Sequence, residues 1–389
     1  MQPTTDELMG QAEQATGLDD WGEDLSFRAG LEQVLRSLDR DGVAEPVADG
    51  VRAQMLGLLV VRLRLRADER AHPEIVATPI ERPVILIGPA RSGTTILHEL
   101  LALDPAARVP LEWETTHLWP APELATFDTD PRIAETQAGF EQLMQAAPQL
   151  RSMHPWEATL PSDCLPLMAL HFASASFWAA NSLDSFVAWL ATEPVEGLYR
   201  THRRALQQLQ WKGPRGRWTL KEPTHQLNLD LLAAAYPDAC FVQTHREPAT
   251  TIASAADLVH TIQLIAKPDR DRQASGRAAR QLFGACLDRS TAVRDADPAL
   301  DARILDVAYA DTVIDPVGQV RRIHEHFDIP FTDEHARRIA ERMARTTDAG
   351  HGHHSYRASD YGLDSDELGS AFHAYRKRFS HLLAEPERV

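Results

Sequence analysis

Apolar residues between positions 24 and 70 recur at helical spacing: Phe27, Leu31, Val34 and Leu35, then Met55, Leu56, Leu59, Val60 and Leu63. Such a recurrence gathers side chains on one face of a helix, so two helices are expected here, packed against the rest. The pattern changes at Arg82-Pro83-Val84-Ile85-Leu86-Ile87-Gly88, a short apolar run ending in glycine. A parallel strand buried on both faces reads this way. Helical spacing resumes with Ile96, Leu97, Leu100 and Leu101 and stops at Asp104-Pro105, where proline cannot continue a helix. From 115 to 210 the periodicity is helical but broken at Pro120, Pro131, Pro148, Pro155, Pro161 and Pro194, which predicts a helical insertion. Three more strands are expected at Trp218–Lys221, Ala239–Thr244 and Arg303–Val307, with helices around 227–235 and 317–327. Strands alternating with helices give an α/β fold, a central parallel sheet flanked by helices on both faces. The division read from this pattern is a helical segment over 1–80 followed by the α/β domain over 81–389.

The totals narrow what such a domain does. A chain of 389 residues buries an ample core without a disulfide or metal staple. Its net charge of −16 speaks against coating a nucleic acid, because that binding is driven by lysines and arginines neutralising phosphates. Any anion site must therefore be local. Cys164, Cys240 and Cys286 form neither a disulfide framework nor a zinc spacing, and an odd count suits a reducing cytoplasm. The acidic first twenty residues do not read as a signal peptide. The longest apolar run, Met55 to Val61, is too short to cross a bilayer and runs into Arg62, Arg64 and Arg66. No membrane span is expected, and the cytoplasm is the expected location.

Chemistry enters at Gly88-Pro89-Ala90-Arg91-Ser92-Gly93-Thr94-Thr95, between a predicted strand and a predicted helix. Two glycines five apart, followed by two threonines, have the spacing of a nucleotide-phosphate loop. There the backbone N–H groups and the helix N-terminus bind an anion. Thr94 stands where a nucleoside triphosphatase has its lysine, and Arg91 supplies the charge instead. Triphosphate enzymes also need magnesium held by an acidic residue, and no acidic residue at the end of a later strand fits that role. Arg91, Ser92, Gly93, Thr94 and Thr95 suit a smaller anion bound without metal. A second site is expected where Arg246 directly follows a strand and Ser254 lies eight residues on, within a helix. An arginine there can grip a phosphate through two hydrogen bonds, at the strand ends where parallel sheets build ligand sites.

Together the two sites resemble the phosphosulfate-dependent sulfotransferase family, in particular its large bacterial branch with the signature Pro-x-Arg-Ser/Thr-Gly-Thr-Thr. The match is Pro89 to Thr95, followed by Leu97-His98-x-Leu100-Leu101-x-x-Asp104-Pro105. Further similar segments are His72-Pro73-Glu74-Ile75, Arg108 to Glu114, Leu220-Lys221-x-Pro223-x-His225, Tyr236 to Ala239 and Gly352-x-His354-x-Tyr356. Glu222 stands where relatives carry a small residue. The resemblance implies a three-layer P-loop-like fold and a 3'-phosphoadenosine 5'-phosphosulfate co-substrate. The loop would hold the phosphosulfate, while Arg246 and Ser254 would hold the 3'-phosphate. His354 and Tyr356 would belong to a cofactor-covering segment over 345–389, and the insertion would form the acceptor side.

Sulfuryl transfer proceeds in line, so it needs a base for the acceptor hydroxyl and cations for the leaving phosphate. Glu114 is the first expectation for the base, on the resemblance, with Glu112 and His154 as rivals. Lys221, at a strand end, and Arg91 are the expected cations. His351, His353 and His354 crowd one glycine-rich loop without a convincing fourth ligand, so no metal site is expected. The expected partner is a small-molecule hydroxyl compound, with lipid, quinone and polyketide alcohols among the candidates. Two other readings stand beside this one: a metal-dependent kinase or nucleoside triphosphatase, and a nucleotide-binding module without catalysis.

Overall fold

The computed structural model of the chain describes residues 2–153, 156–348 and 357–384. Its centre is a five-stranded, all-parallel sheet in the order β2-β3-β1-β4-β5. The strands are β1 (Val84–Ile87), β2 (Ala107–Arg108), β3 (Arg217–Lys221), β4 (Cys240–His245) and β5 (Ile304–Ala308). Four lie within one residue of the expected positions. The edge strand β2 is only two residues long, too short to leave a period in the sequence.

Alternation along β1 explains the layers. Val84 and Leu86 point into a core shared with Leu97, Leu100 and Leu101 of the helix Thr94–Ala102, and with Val320 and Ile323 of the helix Pro316–His326. Ile85 and Ile87 point the other way, into a larger core. Both faces of the sheet are thus covered by helices, as a parallel sheet requires.

That larger core also takes in the amino-terminal helices. The two helices expected between 24 and 70 form as Phe27–Arg40 and Glu45–Ala71, and a further helix, Thr5–Thr16, precedes them. This further helix is polar along most of its length, and only Leu8, Met9 and Ala12 are buried; a side-chain cap from Thr4 and a left-handed Gly17 delimit it. Phe27 and Leu31 of the helix Phe27–Arg40 pack in one cluster with Phe172, Phe177, Trp178 and Phe186 of the insertion. Most of the insertion's aromatics are therefore packing residues. No helix among the described residues is long and apolar enough to cross a membrane.

Candidate active site

Because β1 is central, the loop leaving it emerges between two strand ends. Leu86 pairs with Lys221 of β3 on one side and Val242 of β4 on the other. The sheet register alone brings the expected cation Lys221 and the expected Arg246 to opposite flanks of the phosphate loop.

The loop is shaped from below. Gly88 has φ +134° and lies so close to Thr244 that a Cβ would collide with it. The Ser92 hydroxyl is buried, donating to the Pro89 carbonyl at 2.6 Å and sharing a hydrogen bond with Thr244 Oγ1 at 2.6 Å. Ser92 was expected among the nucleotide contacts, yet its side chain turns inward and braces the turn. Thr94 is likewise buried. Gly93, at φ +87°, precedes the helix Thr94–Ala102, which has no side-chain cap. The amide groups of that first turn thus receive no cap from a side chain at Gly93, the arrangement in which a helix N-terminus can take an anion.

Arg91 adopts φ +68°, a left-handed conformation that a side chain enters at a cost of about 1–2 kcal/mol. This turn brings three expected residues together. Arg91 Nε donates to Ser254 Oγ at 3.1 Å, and Arg246 donates to the Arg91 carbonyl at 3.2 Å. The Arg246 guanidinium lies 4.1 Å from the centre of the Tyr309 ring, a cation–π contact that fixes its plane. Ser254 comes from the helix Pro248–Ala266.

On the opposite flank the buried Lys221 forms an ion pair with Asp163 and donates to Thr95 Oγ1 at 3.4 Å. Glu112 belongs to this cluster. Burial pushes its carboxyl up to about 8, Asp163 adds to the rise, and a Ser162 hydrogen bond and Lys221 oppose it. Glu222 lies beneath, wholly buried. One of its oxygens accepts from the Thr224 backbone and hydroxyl, both at 2.9 Å, while Oε2 has no partner among the described residues. Burial, with Asp163 next, pushes this carboxyl up as well. His98 accepts no role as a charged group here, since burial and then Lys221 lower it to about 4; its ring donates to the Thr219 carbonyl at 3.0 Å.

Glu114 stands apart. Its side chain is fully buried, its carboxylate pairs with Arg108, and Oε2 also accepts from the Leu111 N–H at 3.1 Å. Both oxygens are engaged in holding the chain entry, which leaves Glu112 as the carboxylate turned toward Lys221. His154, His354 and Tyr356 lie outside the described residues. Sequence reading missed Asp163, Thr244 and Tyr309. Asp163 follows Pro161-Ser162 in a stretch without periodicity, and nothing local marks it as the partner of a lysine 58 positions away.

An uncapped helix N-terminus beneath a glycine loop, flanked by arginine on one side and a lysine–carboxylate cluster on the other, defines a group-transfer enzyme of the three-layer P-loop-like fold. The chain belongs to the sulfotransferase family, whose model matches residues 83–333. It is 25% identical over 309 residues to the omega-hydroxy-beta-dihydromenaquinone-9 sulfotransferase Stf3 of Mycobacterium bovis, a match covering 77% of this chain and 73% of that one. The Stf3 of Mycobacterium tuberculosis matches to the same extent. Among solved structures it is similar to sulfotransferase STF1 from M. tuberculosis H37Rv, with TM-score 0.80 and 31% identity over 95% of this chain and 98% of that one. Sulfotransferase STF9 from Mycobacterium avium gives a TM-score of 0.85 and 28% identity over 99% and 98%.

Proposed function

We propose that this sulfotransferase takes the sulfuryl group from 3'-phosphoadenosine 5'-phosphosulfate and passes it to the hydroxyl of a lipophilic small molecule. The convergence of Arg91, Ser254 and Arg246 carries the donor assignment. Two guanidiniums and a hydroxyl beside one uncapped helix suit a nucleotide with phosphate at two positions. The acceptor class draws support from Stf3, whose name gives a hydroxylated dihydromenaquinone as its substrate.

In this reading the acceptor oxygen attacks sulfur, the bond from sulfur to the phosphate oxygen breaks, and adenosine 3',5'-bisphosphate leaves. Glu112 accepts the hydroxyl proton. A carboxyl lifted to about 8 is a far better match to an alcohol than an ordinary carboxylate. Lys221, held by Asp163, faces the charge that develops on the leaving oxygen, and Arg91 binds the phosphosulfate. Ser92 contributes by shaping the loop, and Glu114 by anchoring Arg108.

The test has two stages. Thermal shifts with adenosine 3',5'-bisphosphate and with magnesium ATP come first, and stabilisation by ATP alone would favour a kinase or triphosphatase. Transfer of labelled sulfate from the phosphosulfate to a panel of quinols, lipid alcohols and phenols follows. Bisphosphate binding without transfer to any of them would leave a nucleotide-binding module.

A further inference from the structure

Away from the phosphate loop, at the far end of its helix, three side chains from distant parts of the chain meet. Asp104 ends the segment after the helix Thr94–Ala102, His324 lies in the helix Pro316–His326, and His335 opens the helix Asp333–Asp348. One ligand-capable atom of each lies within 4.8 Å of the other two.

The hydrogen bonds around the cluster define its chemistry. His324 Nδ1 is bonded to the Pro330 carbonyl at 2.9 Å, and His335 Nε2 to the Leu100 carbonyl at 2.9 Å. A carbonyl only accepts, so both of these nitrogens carry the proton. A ring that carries only that proton offers a lone pair at its opposite nitrogen. His335 is fully buried, and its remaining Nδ1 has no hydrogen-bond partner among the described residues. Asp104 uses Oδ1 to accept from the Ala106 N–H at 3.0 Å, leaving its other oxygen as a third acceptor. Three acceptors without a donor among them call for a positive centre, and ring nitrogens tied to backbone carbonyls are the usual support of metal-binding histidines.

We propose that Asp104, His324 and His335 bind a divalent transition-metal ion of the zinc type, with a fourth position left for water. Two imidazoles and a carboxylate form a familiar zinc donor set, with bonds of about 2.0–2.2 Å. The ion ties the end of the phosphate-loop helix to the helices Pro316–His326 and Asp333–Asp348. It lies at the opposite end of that helix from Gly93 and takes no part in sulfuryl transfer. A second trio, Cys164, His202 and His225, also converges. One ring nitrogen of each histidine, however, His202 Nδ1 and His225 Nδ1, meets the hydroxyl of Tyr236 or Tyr199. Those hydroxyls donate as well as accept, so no lone pair is fixed there.

The full-length protein, stripped with chelator and dialysed, is titrated with Zn²⁺ and, separately, with Co²⁺. Expected are one ion per chain by elemental analysis, a melting temperature raised by Zn²⁺, and visible Co²⁺ bands without the near-ultraviolet band of a thiolate ligand. Asp104→Asn keeps an acceptor for Ala106 but removes the charge, and His324→Gln is the second variant; each should weaken Zn²⁺ binding at least about tenfold. A chain that retains no stoichiometric ion, as when water fills the space, overturns the proposal. So does a thiolate band, or affinity unchanged in both variants.

Discussion

Glu112 and Glu114 stand two residues apart on one short helix and meet opposite surroundings. Glu114 faces inward onto Arg108, whereas Glu112 faces Asp163 and Lys221. Glu112→Gln should lower turnover by ~10²–10⁴ while leaving bisphosphate affinity nearly unchanged. A base must be ionised to act, so wild-type kcat/KM should rise with pH and level off above about 8, a limb that the variant lacks. Stability moves the other way. A carboxyl raised on folding contributes fully below its ordinary pKa, and that contribution is lost as pH rises through about 8. The melting temperature of Glu112→Gln should therefore fall less than that of wild type over this window. Glu114→Gln, by contrast, leaves Arg108 buried without its counter-charge and should cost roughly 3 kcal/mol, measured by denaturant unfolding at unchanged turnover per folded molecule. A loss of turnover with stability intact would return Glu114 to the chemistry.

At the scale of elements, the phosphate loop depends on contacts from outside its own strand and helix. A Cβ on Gly93 would come within 2.7 Å of the Tyr309 ring, and that ring carries the Arg246 guanidinium. Gly93→Ala thus combines an unfavourable positive φ of about 1–3 kcal/mol with displacement of Arg246, the second arginine of the proposed nucleotide site. Bisphosphate affinity, read by calorimetry, should drop at least about tenfold. Arg91→Ala should lose both affinity and turnover, because Arg91 sits at the junction with Ser254 and Arg246. Retained affinity in both variants would place nucleotide binding elsewhere.

Across the whole molecule, the end of β4 is tied to the carboxy-terminal helix through a buried polar network. His245 bonds to Asp306 at 2.8 Å and to Tyr375 at 2.8 Å, and Arg294 grips both oxygens of Asp306 at 2.7 and 2.8 Å. Burial opposes ionisation of Asp306, but hydrogen bonds from Arg294 and His245 outweigh it and hold the carboxyl far below the usual range. A carboxyl depressed on folding contributes stability above its ordinary pKa, and the contribution disappears as pH falls below it. Asp306→Asn should therefore destabilise by about 3–5 kcal/mol near neutrality, and the gap to wild type should narrow steadily below about pH 4. A constant gap across that range would separate Asp306 from acid unfolding. Arg246 is the next residue after His245, so loss of the network should also weaken bisphosphate binding.

Local pattern alone determined the strand-and-helix alternation and marked the glycine loop with Arg91 in place of a lysine, because apolar period and glycine spacing are written over a few consecutive residues. It also marked Arg246, Ser254 and Lys221, each lying after or at a strand end where parallel sheets form sites. Tertiary structure decided the rest. Only the position of β1 between β3 and β4 sets Lys221 and Arg246 on opposite flanks of one loop. Only their partners separate the two buried carboxyls, Arg108 for Glu114 and the Asp163–Lys221 pair for Glu112, and only packing brings Asp163 to Lys221 and Tyr309 to Arg246. A carboxylate's proton affinity depends on the charges and solvent around it, and these are fixed by segments that the chain's own order keeps far apart.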